Sequence, residues 1–557
     1  MGTGQVFSGG EDILAWQTSV TSAGTVGPFG TDPHLAFPTG MNPWSYPQLG
    51  IALLTAAWLL AGPFGIPSGM AALIIMIASL VATALATVYF LRSFVDDRLK
   101  WLTTTLAAAL ALSPFFAIKV GHINIALFFM VPLILGILVR GVKRERRWRI
   151  WAVGVIFIAT AISPLWWVTV MLLFIPVIGV AALLQRKLRL LGWIVSVFTG
   201  IAAGTGVQLL LYHHVAIPGA NLDRSVWSAN LYGGRLTDTV LASPLINQIY
   251  PPGFFNLLRS GGSVEFKPVG LVCLAMMVIL ILLLIKLLPR YIANPATGSG
   301  ATDGKAKRID TNLLAIMSIV SILFYLSGGL GNAQATAAVM LGGQSPARAF
   351  SRFTIIMAMF GMAWLLLYLS RDFGTRIATR RPARITYIAA AIAVAVVATV
   401  DLSALPHAAV AAENTLSEYP AIDFLRAHTK PCPVAQLPQE GAPVPRAIPT
   451  AINDREQAQI DEQLYYRGYY AYLIAPDYYW SIGSYVPAKP TAINQLGKTF
   501  DAAGLASLQK AGFCAVMYDK VLAASPRGGA LEGAKRAADL PAAGFTSERY
   551  DMYLLNQ

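Results

Sequence analysis

Two stretches of this chain gather residue types that can move a proton and hold a phosphate. In Gly9-Gly10-Glu11-Asp12-Ile13-Leu14-Ala15-Trp16, two adjacent carboxylates open an amphipathic run. A carboxylate there can accept the proton of an attacking hydroxyl, and it can equally be the N-cap of the helix that follows. The second stretch is Ser345-Pro346-Ala347-Arg348-Ala349-Phe350-Ser351-Arg352. With Ser345 as N-cap and Pro346 at the first helical position, Arg348 and Arg352 fall at i and i+4 on one face. Cations at a helix N-terminus oppose the macrodipole, and a bound phosphate removes that conflict. The alternative is two arginines snorkelling to lipid headgroups.

Smaller signals surround these two. Asp32 stands in the rigid loop Gly30-Thr31-Asp32-Pro33-His34-Leu35-Ala36-Phe37-Pro38-Thr39-Gly40, which could place it near the same cleft. A turn residue before proline has an equally good structural explanation. His122, in the short hairpin Lys119-Val120-Gly121-His122, suits either a phosphate or sugar contact or a helix cap. A Tyr-rich stretch from Tyr465 to Tyr485 suits the membrane boundary, a carbohydrate-stacking surface or core packing. No zinc spacing, P-loop, dinucleotide fingerprint or nucleophile elbow occurs.

The elements that must position these residues are membrane helices. Of 557 residues, 55% are hydrophobic and only 13% charged, which excludes a soluble globular protein. Apolar runs at 71–91, 102–118, 123–139, 150–162, 165–184, 190–212, 269–288, 313–330, 353–369 and 385–400 predict about ten spans. The net charge of +14 is a matter of sidedness. The linkers 92–100, 140–149, 186–189, 286–308 and 371–384 hold 22 of the 42 Lys and Arg and few carboxylates. That pattern marks cytoplasmic loops and not a nucleic-acid footprint. The alternate loops then face outward, as does everything beyond Asp401.

Three regions follow: 1–70, an acidic extracytoplasmic loop with an interfacial helix; 71–402, the bundle; and 403–557, a small α/β domain outside the membrane. The apolar run 49–61 is too short to span, so an outward-facing segment 1–47, which lacks Lys and Arg, leads us to expect a further membrane helix upstream. Cys432 and Cys514 each adjoin a strand-like run in the outer domain. An oxidising compartment and neighbouring strands would let them form a disulfide; the alternative is two buried thiols.

Several patches together resemble the C-type (GT-C) polytopic membrane glycosyltransferases, in particular a bacterial group with an extracytoplasmic C-terminal domain. They are Gly10-Glu11-Asp12, the loop from Asp32 to Gly40, Gly121-His122-Ile123-Asn124 leading to Val131-Pro132-Leu133, and the Arg348…Arg352 helix start. Gln436-Leu437-Pro438, Tyr479-Trp480-Ser481-Ile482-Gly483 and Ala511-Gly512-Phe513-Cys514 complete the set. The resemblance implies a polyprenyl-phosphate sugar donor, a cell-envelope glycan or lipid acceptor and a general base on the outer loop following a first span. That first span is where this chain departs from the pattern. Asp12 is the position carried over as base, with Glu11 as fallback and Asp32 as second candidate. Arg348 and Arg352, with His122, would hold the donor phosphate, and a single inverting displacement needs neither cofactor nor metal. A transporter or flippase of lipid-linked saccharides would need a polar path through the bundle, and a non-catalytic envelope assembly protein would tolerate loss of all these residues.

Overall fold

With no water in the bilayer core, an apolar run must close its own backbone hydrogen bonds, which is why these segments fold as helices. The computed structural model describes residues 5–8, 11–43, 50–95, 99–118, 127–215, 269–293, 305–326, 329–331, 333–334, 352–372, 381–403, 409–412, 416–438, 441–442, 467–484, 493, 496–497, 499–525 and 533–555. Strand β1 (Gln5–Ser8) is followed by helices α1 (Glu11–Val26), α2 (Ile51–Ala61) and α3 (Ser68–Leu91). α4 (Lys100–Ala111) stops short of Pro114, which opens α5 (Pro114–Ile118) because it has no N–H to continue the preceding ladder. Then come α6 (Met130–Gly141), α7 (Arg146–Ile162), α8 (Leu165–Leu184), α9 (Leu188–Val215), α10 (Leu271–Ala293), α11 (Lys305–Tyr325), α12 (Phe353–Asp372) and α13 (Arg381–Ser403).

Among the described residues, each apolar run read from the sequence falls largely on these helices, the run 102–118 being divided between α4 and α5. Among the described residues, five helices are long and apolar enough to cross a membrane, in α3, α8, α9, α12 and α13. The apolar stretches of α2, α6, α10 and α11 are shorter. α2 has 11 residues; at 1.5 Å each it reaches only about half of the ~30 Å hydrocarbon core. Close helix crossings rest on small residues. A Cβ on Gly361 of α12 would lie 1.9 Å from the Met276 carbonyl of α10, and one on Gly204 of α9 would lie 2.0 Å from Thr160 of α7.

The two ends of the bundle differ in charge. At one end the Arg140 guanidinium stacks 3.9 Å from the Tyr89 ring and donates to Ser93 Oγ and the Tyr89 carbonyl. Arg149 donates to the carbonyls of Gly141 and Val142, where a cation complements the C-terminus of α6. At the other end the buried Asp401 of α13 accepts the Leu271 N–H at the start of α10, where an anion is favoured.

The C-terminal domain begins with β2 (Ala409–Ala412) and α14 (Tyr419–His428), followed by β3 (Pro433–Leu437), β4 (Gly441–Ala442) and α15 (Gly468–Ile474). β5 (Tyr479–Trp480), β6 (Gly483–Ser484), β7 (Thr499–Phe500), α16 (Ala502–Lys510), β8 (Ala515–Asp519) and α17 (Lys520–Ala524) come next. β9 (Lys535–Arg536), β10 (Phe545–Thr546) and β11 (Tyr550–Leu554) close the chain order. The central sheet runs β10-β11-β8-β3-β5, with β3 parallel to both β8 and β5 and β11 antiparallel. Cys432 and Cys514 precede the parallel neighbours β3 and β8, and they are bridged with Cα atoms 6.1 Å apart. The strands expected at 433–437, 513–518 and 550–555 and the helix near 501–511 are present. The helix expected near 455–464 falls outside the described residues.

Five aromatics of the Tyr-rich stretch are core. Tyr469, Tyr470, Tyr472, Tyr478 and Trp480 are all at most 4% exposed, so they are not a stacking surface for sugars. Beside them runs a buried charge network. Glu418 accepts from Arg467 at 2.8 Å and from the Tyr550 hydroxyl at 2.7 Å, and Asp519 accepts from Arg549 at 2.6 Å. Burial pulls the Arg467 guanidinium down, but the bonded Glu418 carboxylate more than offsets it and holds it above its ordinary value. Burial, together with the Glu418 and Asp519 charges, lifts the Tyr550 phenol well above 10.

The 82-residue separation of the bridged cysteines predicts that replacing both by Ser costs about 4 kcal/mol by loop-closure entropy, read as denaturant unfolding of the domain within the full chain. Thiol labelling of the denatured chain should count one cysteine, Cys273, before reduction and three after. The raised Tyr550 phenol predicts loss of stability in alkali, because above pH 10 the unfolded phenol releases its proton while the native one keeps it. Native stability therefore falls by about 1.4 kcal/mol per pH unit for that group until the native phenol itself titrates. Tyr550→Phe should flatten the slope by that amount, and an unchanged slope would contradict the burial of the phenol.

Candidate functional site

The acidic helix start is fixed from both sides. α1 begins at Glu11, as its sequence predicts; the side chains of Glu11 and Asp12 lie outside the described residues. Immediately before it, β1 pairs antiparallel with β2 of the C-terminal domain, Gln5 opposite Ala412 and Ser8 opposite Ala409. One set of α1 residues, Trp16, Val20 and Ala23, packs with Leu53, Leu54 and Ala57 of α2 and Ala71, Ala72 and Ile75 of α3. Gln17, Thr18, Ser19 and Ser22 are also buried, at 1% exposure or less, and α1 further packs against α15 of the C-terminal domain. The helix expected to start at Glu11 thus lies between the bundle helices α2 and α3 and α15 of the domain.

Asp32 is placed where no acceptor reaches it. Its exposure is 0%, its Oδ2 accepts the Tyr472 hydroxyl at 2.7 Å, and its Oδ1 accepts the His34 N–H at 2.9 Å. Burial first, and then the Asp32 charge, raise the Tyr472 phenol well above 10, so it stays a donor. Of the two roles open to Asp32, these surroundings fit the structural one: a buried carboxylate needs such partners, and both of its oxygens are held by them.

The rest of that loop belongs to the domain. Trp480 N–H donates to the His34 carbonyl, Phe37 N–H to the Trp480 carbonyl and Ala36 N–H to the Ile482 carbonyl, at 2.8–3.0 Å. β5 is the edge of the sheet, so residues 34–37 cover its open hydrogen-bonding groups. The His34 ring stacks on Tyr479 at 4.5 Å, and Leu35 and Met41 join the domain's buried core. The signal was present in the sequence. Leu35 and Phe37 alternate between Pro33 and Pro38, the pattern of a short edge strand.

Arg352 lies just before α12, with only 7% exposure and its guanidinium 4.7 Å from the centre of the Trp166 ring. That distance is a cation–π contact. Trp166 sits in the first turn of α8, so the N-terminal ends of α8 and α12 meet here. The turn before α8 is also held. Gln208 of α9 donates to the Thr160 carbonyl at 2.7 Å and to the Ser163 carbonyl. Gly50, at the start of α2, touches the same turn so closely that a Cβ would be 2.4 Å from the Ile162 carbonyl. The N-terminal segment and Arg352 thus share one end of the bundle, the end that carries Asp401.

The Ser345-Pro346 helix start, Arg348 and His122 lie outside the described residues. Trp166, the partner of Arg352, was not anticipated, because an aromatic at a helix start carries no sequence mark of the cation it meets. Among the described residues, no group of three or more His, Cys, Asp or Glu is placed to hold a metal ion. A concavity lies at the C-terminal ends of β3, β5 and β8, lined among others by Gln436, Ser481, Asp519 and Tyr550. Its polar groups are committed to one another: Asp519 Oδ1 accepts the N–H groups of Val521 and Leu522, and Gln436 spans from Gly468 to Ile482.

No family model matches the chain, and no curated protein matches it in sequence. Its structure is similar to that of an oligosaccharyltransferase, AglB from Archaeoglobus fulgidus, solved in complex with an inhibitory peptide and a dolichol-phosphate, at 12% identity and a TM-score of 0.43. That match covers 93% of this chain and 66% of the archaeal one. The apo form of the Archaeoglobus fulgidus oligosaccharyltransferase gives a TM-score of 0.44 at 12% identity, covering 93% and 67%. The arabinofuranosyltransferase AftD from Mycobacteria gives 0.41 at 12% identity, covering 99% of this chain and 42% of that one. The chain thus spans about two thirds of the archaeal proteins and less than half of the mycobacterial one.

Proposed function

We propose that this polytopic membrane protein is a glycosyltransferase that moves a sugar from a polyprenyl-phosphate donor to a cell-envelope acceptor on the extracytoplasmic side. The observation that carries the reading is the guanidinium of Arg352. It is buried on Trp166, where two helix N-termini meet, at the bundle end that also holds the acidic start of the chain. A guanidinium presents planar donors to phosphate oxygens, and helix N-termini favour the same anion.

In this reading the acceptor oxygen attacks the anomeric carbon as the bond from that carbon to the phosphate oxygen breaks. The electron pair leaves with the phosphate, whose charge Arg352 and Arg348 stabilise, assisted by His122. The acceptor proton passes to Asp12, with Glu11 as the neighbouring alternative. A single displacement inverts the anomeric centre and calls on no metal. The Cys432–Cys514 bridge supports an oxidising, extracytoplasmic setting for the domain, and the basic linkers then face the cytoplasm.

Purified protein incubated with radiolabelled polyprenyl-phosphate sugar and envelope acceptor should yield labelled product. Asp12→Asn should lower turnover by about 10²–10⁴-fold, the range for loss of a general base. Arg352→Gln should lower it by about 10²-fold or more, as for loss of a transition-state charge partner. Labelled donor that changes membrane leaflet without forming a new glycosidic bond would show a flippase instead.

A further inference from the structure

We propose that Asp32 is a positioning residue for this reaction, setting through Tyr472 the placement of α1 and of the carboxylates at its start. The inference rests on the glycosyltransferase reading and on Asp12 as its base.

The geometry is that of a two-point mount. The β1–β2 ribbon holds the chain just before Glu11, and α15 holds the body of α1. Between α15 and the segment leaving α1 there is one buried charge, Asp32, bound by the Tyr472 hydroxyl of α15. The loop is closed on itself around that charge. Asp32 and Met41 exchange both backbone hydrogen bonds at 2.8 and 2.9 Å, and Asn42 donates to the Gly30 carbonyl at 2.6 Å. Gly30 in turn lies against the last turn of α1, where a Cβ would meet the Val26 carbonyl at 2.1 Å. A shift of the Asp32 carboxylate is therefore passed to the C-terminal end of α1 through backbone, without an intervening flexible side chain.

α1 then transmits it. From Asp12 to Val26 the helix is continuous, about 21 Å long at 1.5 Å per residue, and it is packed on both the α2/α3 and the α15 sides. A packed helix moves as a rigid body, and displacement of a reacting group by about 1 Å can cost about 10²-fold in rate. Asp32 thereby acts at a distance and touches neither donor nor acceptor. Its buried charge is costly to hold there unless its partners stay in place, so the joint has one favoured geometry.

The test uses the full chain in the transfer assay, together with amide hydrogen exchange of residues 11–26. Tyr472→Phe keeps the ring and removes the donor; Asp32→Asn keeps the shape and removes the charge. Each should lower kcat by about 10–100-fold with KM for the donor changed less than about threefold. The double variant should be no worse than the poorer single one, because both changes break one joint. Exchange at the α1 amides should quicken in each.

Variants that lose only thermal stability or yield, with kcat per folded molecule and α1 exchange as in the parent, would overturn the positioning role. The two levels separate cleanly. A parent chain that transfers no sugar, or an Asp12→Asn chain that transfers normally, sinks the reading of the site. A dead Asp12→Asn chain beside full kcat in Tyr472→Phe sinks the positioning role alone.

Discussion

The structure turns on one buried contact between chain segments 440 residues apart, the Tyr472 hydroxyl on the Asp32 carboxylate. A carboxylate without solvent costs several kcal/mol unless every lone pair it presents is met. Meeting them here requires α15, the loop after α1 and the backbone turn at His34 to be in register at once. The same loop covers the exposed edge at β5 and fills the domain core with Leu35 and Met41. The domain at the C-terminal end of the sequence is thus completed by residues from its beginning.

That arrangement buries Gln17, Thr18, Ser19 and Ser22 of α1. α1 packs on the apolar helices α2 and α3 on one side and on α15 of the domain on the other. The membrane supplies the complementary constraint. Helices with basic residues clustered at one end must stack with those ends together, because charge is tolerated only outside the hydrocarbon. Arg140 and Arg149 show the basic end fastened by stacking and carbonyl capping. Asp401 and Arg352 show the opposite end, where two charges are buried and set against helix N-termini.

How much of this could be read in the sequence varied with the range of the interaction responsible. The helical runs, the strand at Pro433–Leu437 and the helix start at Glu11 follow from local periodicity and capping, and the structure has them. The Cys432–Cys514 pair was legible because strand neighbours and an oxidising setting leave few partners for three cysteines. Asp32 was ambiguous for a physical reason. Before a proline, its local role as a turn residue and its role as an exposed acid look alike, and only Tyr472 decides between them. The tyrosines near 470 were ambiguous in the same way, since an amphipathic ring suits a core, an interface or a sugar equally. The stacking of Arg352 on Trp166 joins two helices 186 positions apart and left no trace in either segment.

The central claim is that the acidic start of α1 and the buried arginine before α12 face one donor. A structure of the protein with a polyprenyl phosphate bound tests it most directly. The phosphate should lie within hydrogen-bond reach of the Arg352 guanidinium, with the Asp12 carboxylate turned toward the carbon that would carry the sugar. A phosphate bound elsewhere, or an Asp12 carboxylate more than about 15 Å from it, would be too distant for a single displacement and would contradict the account.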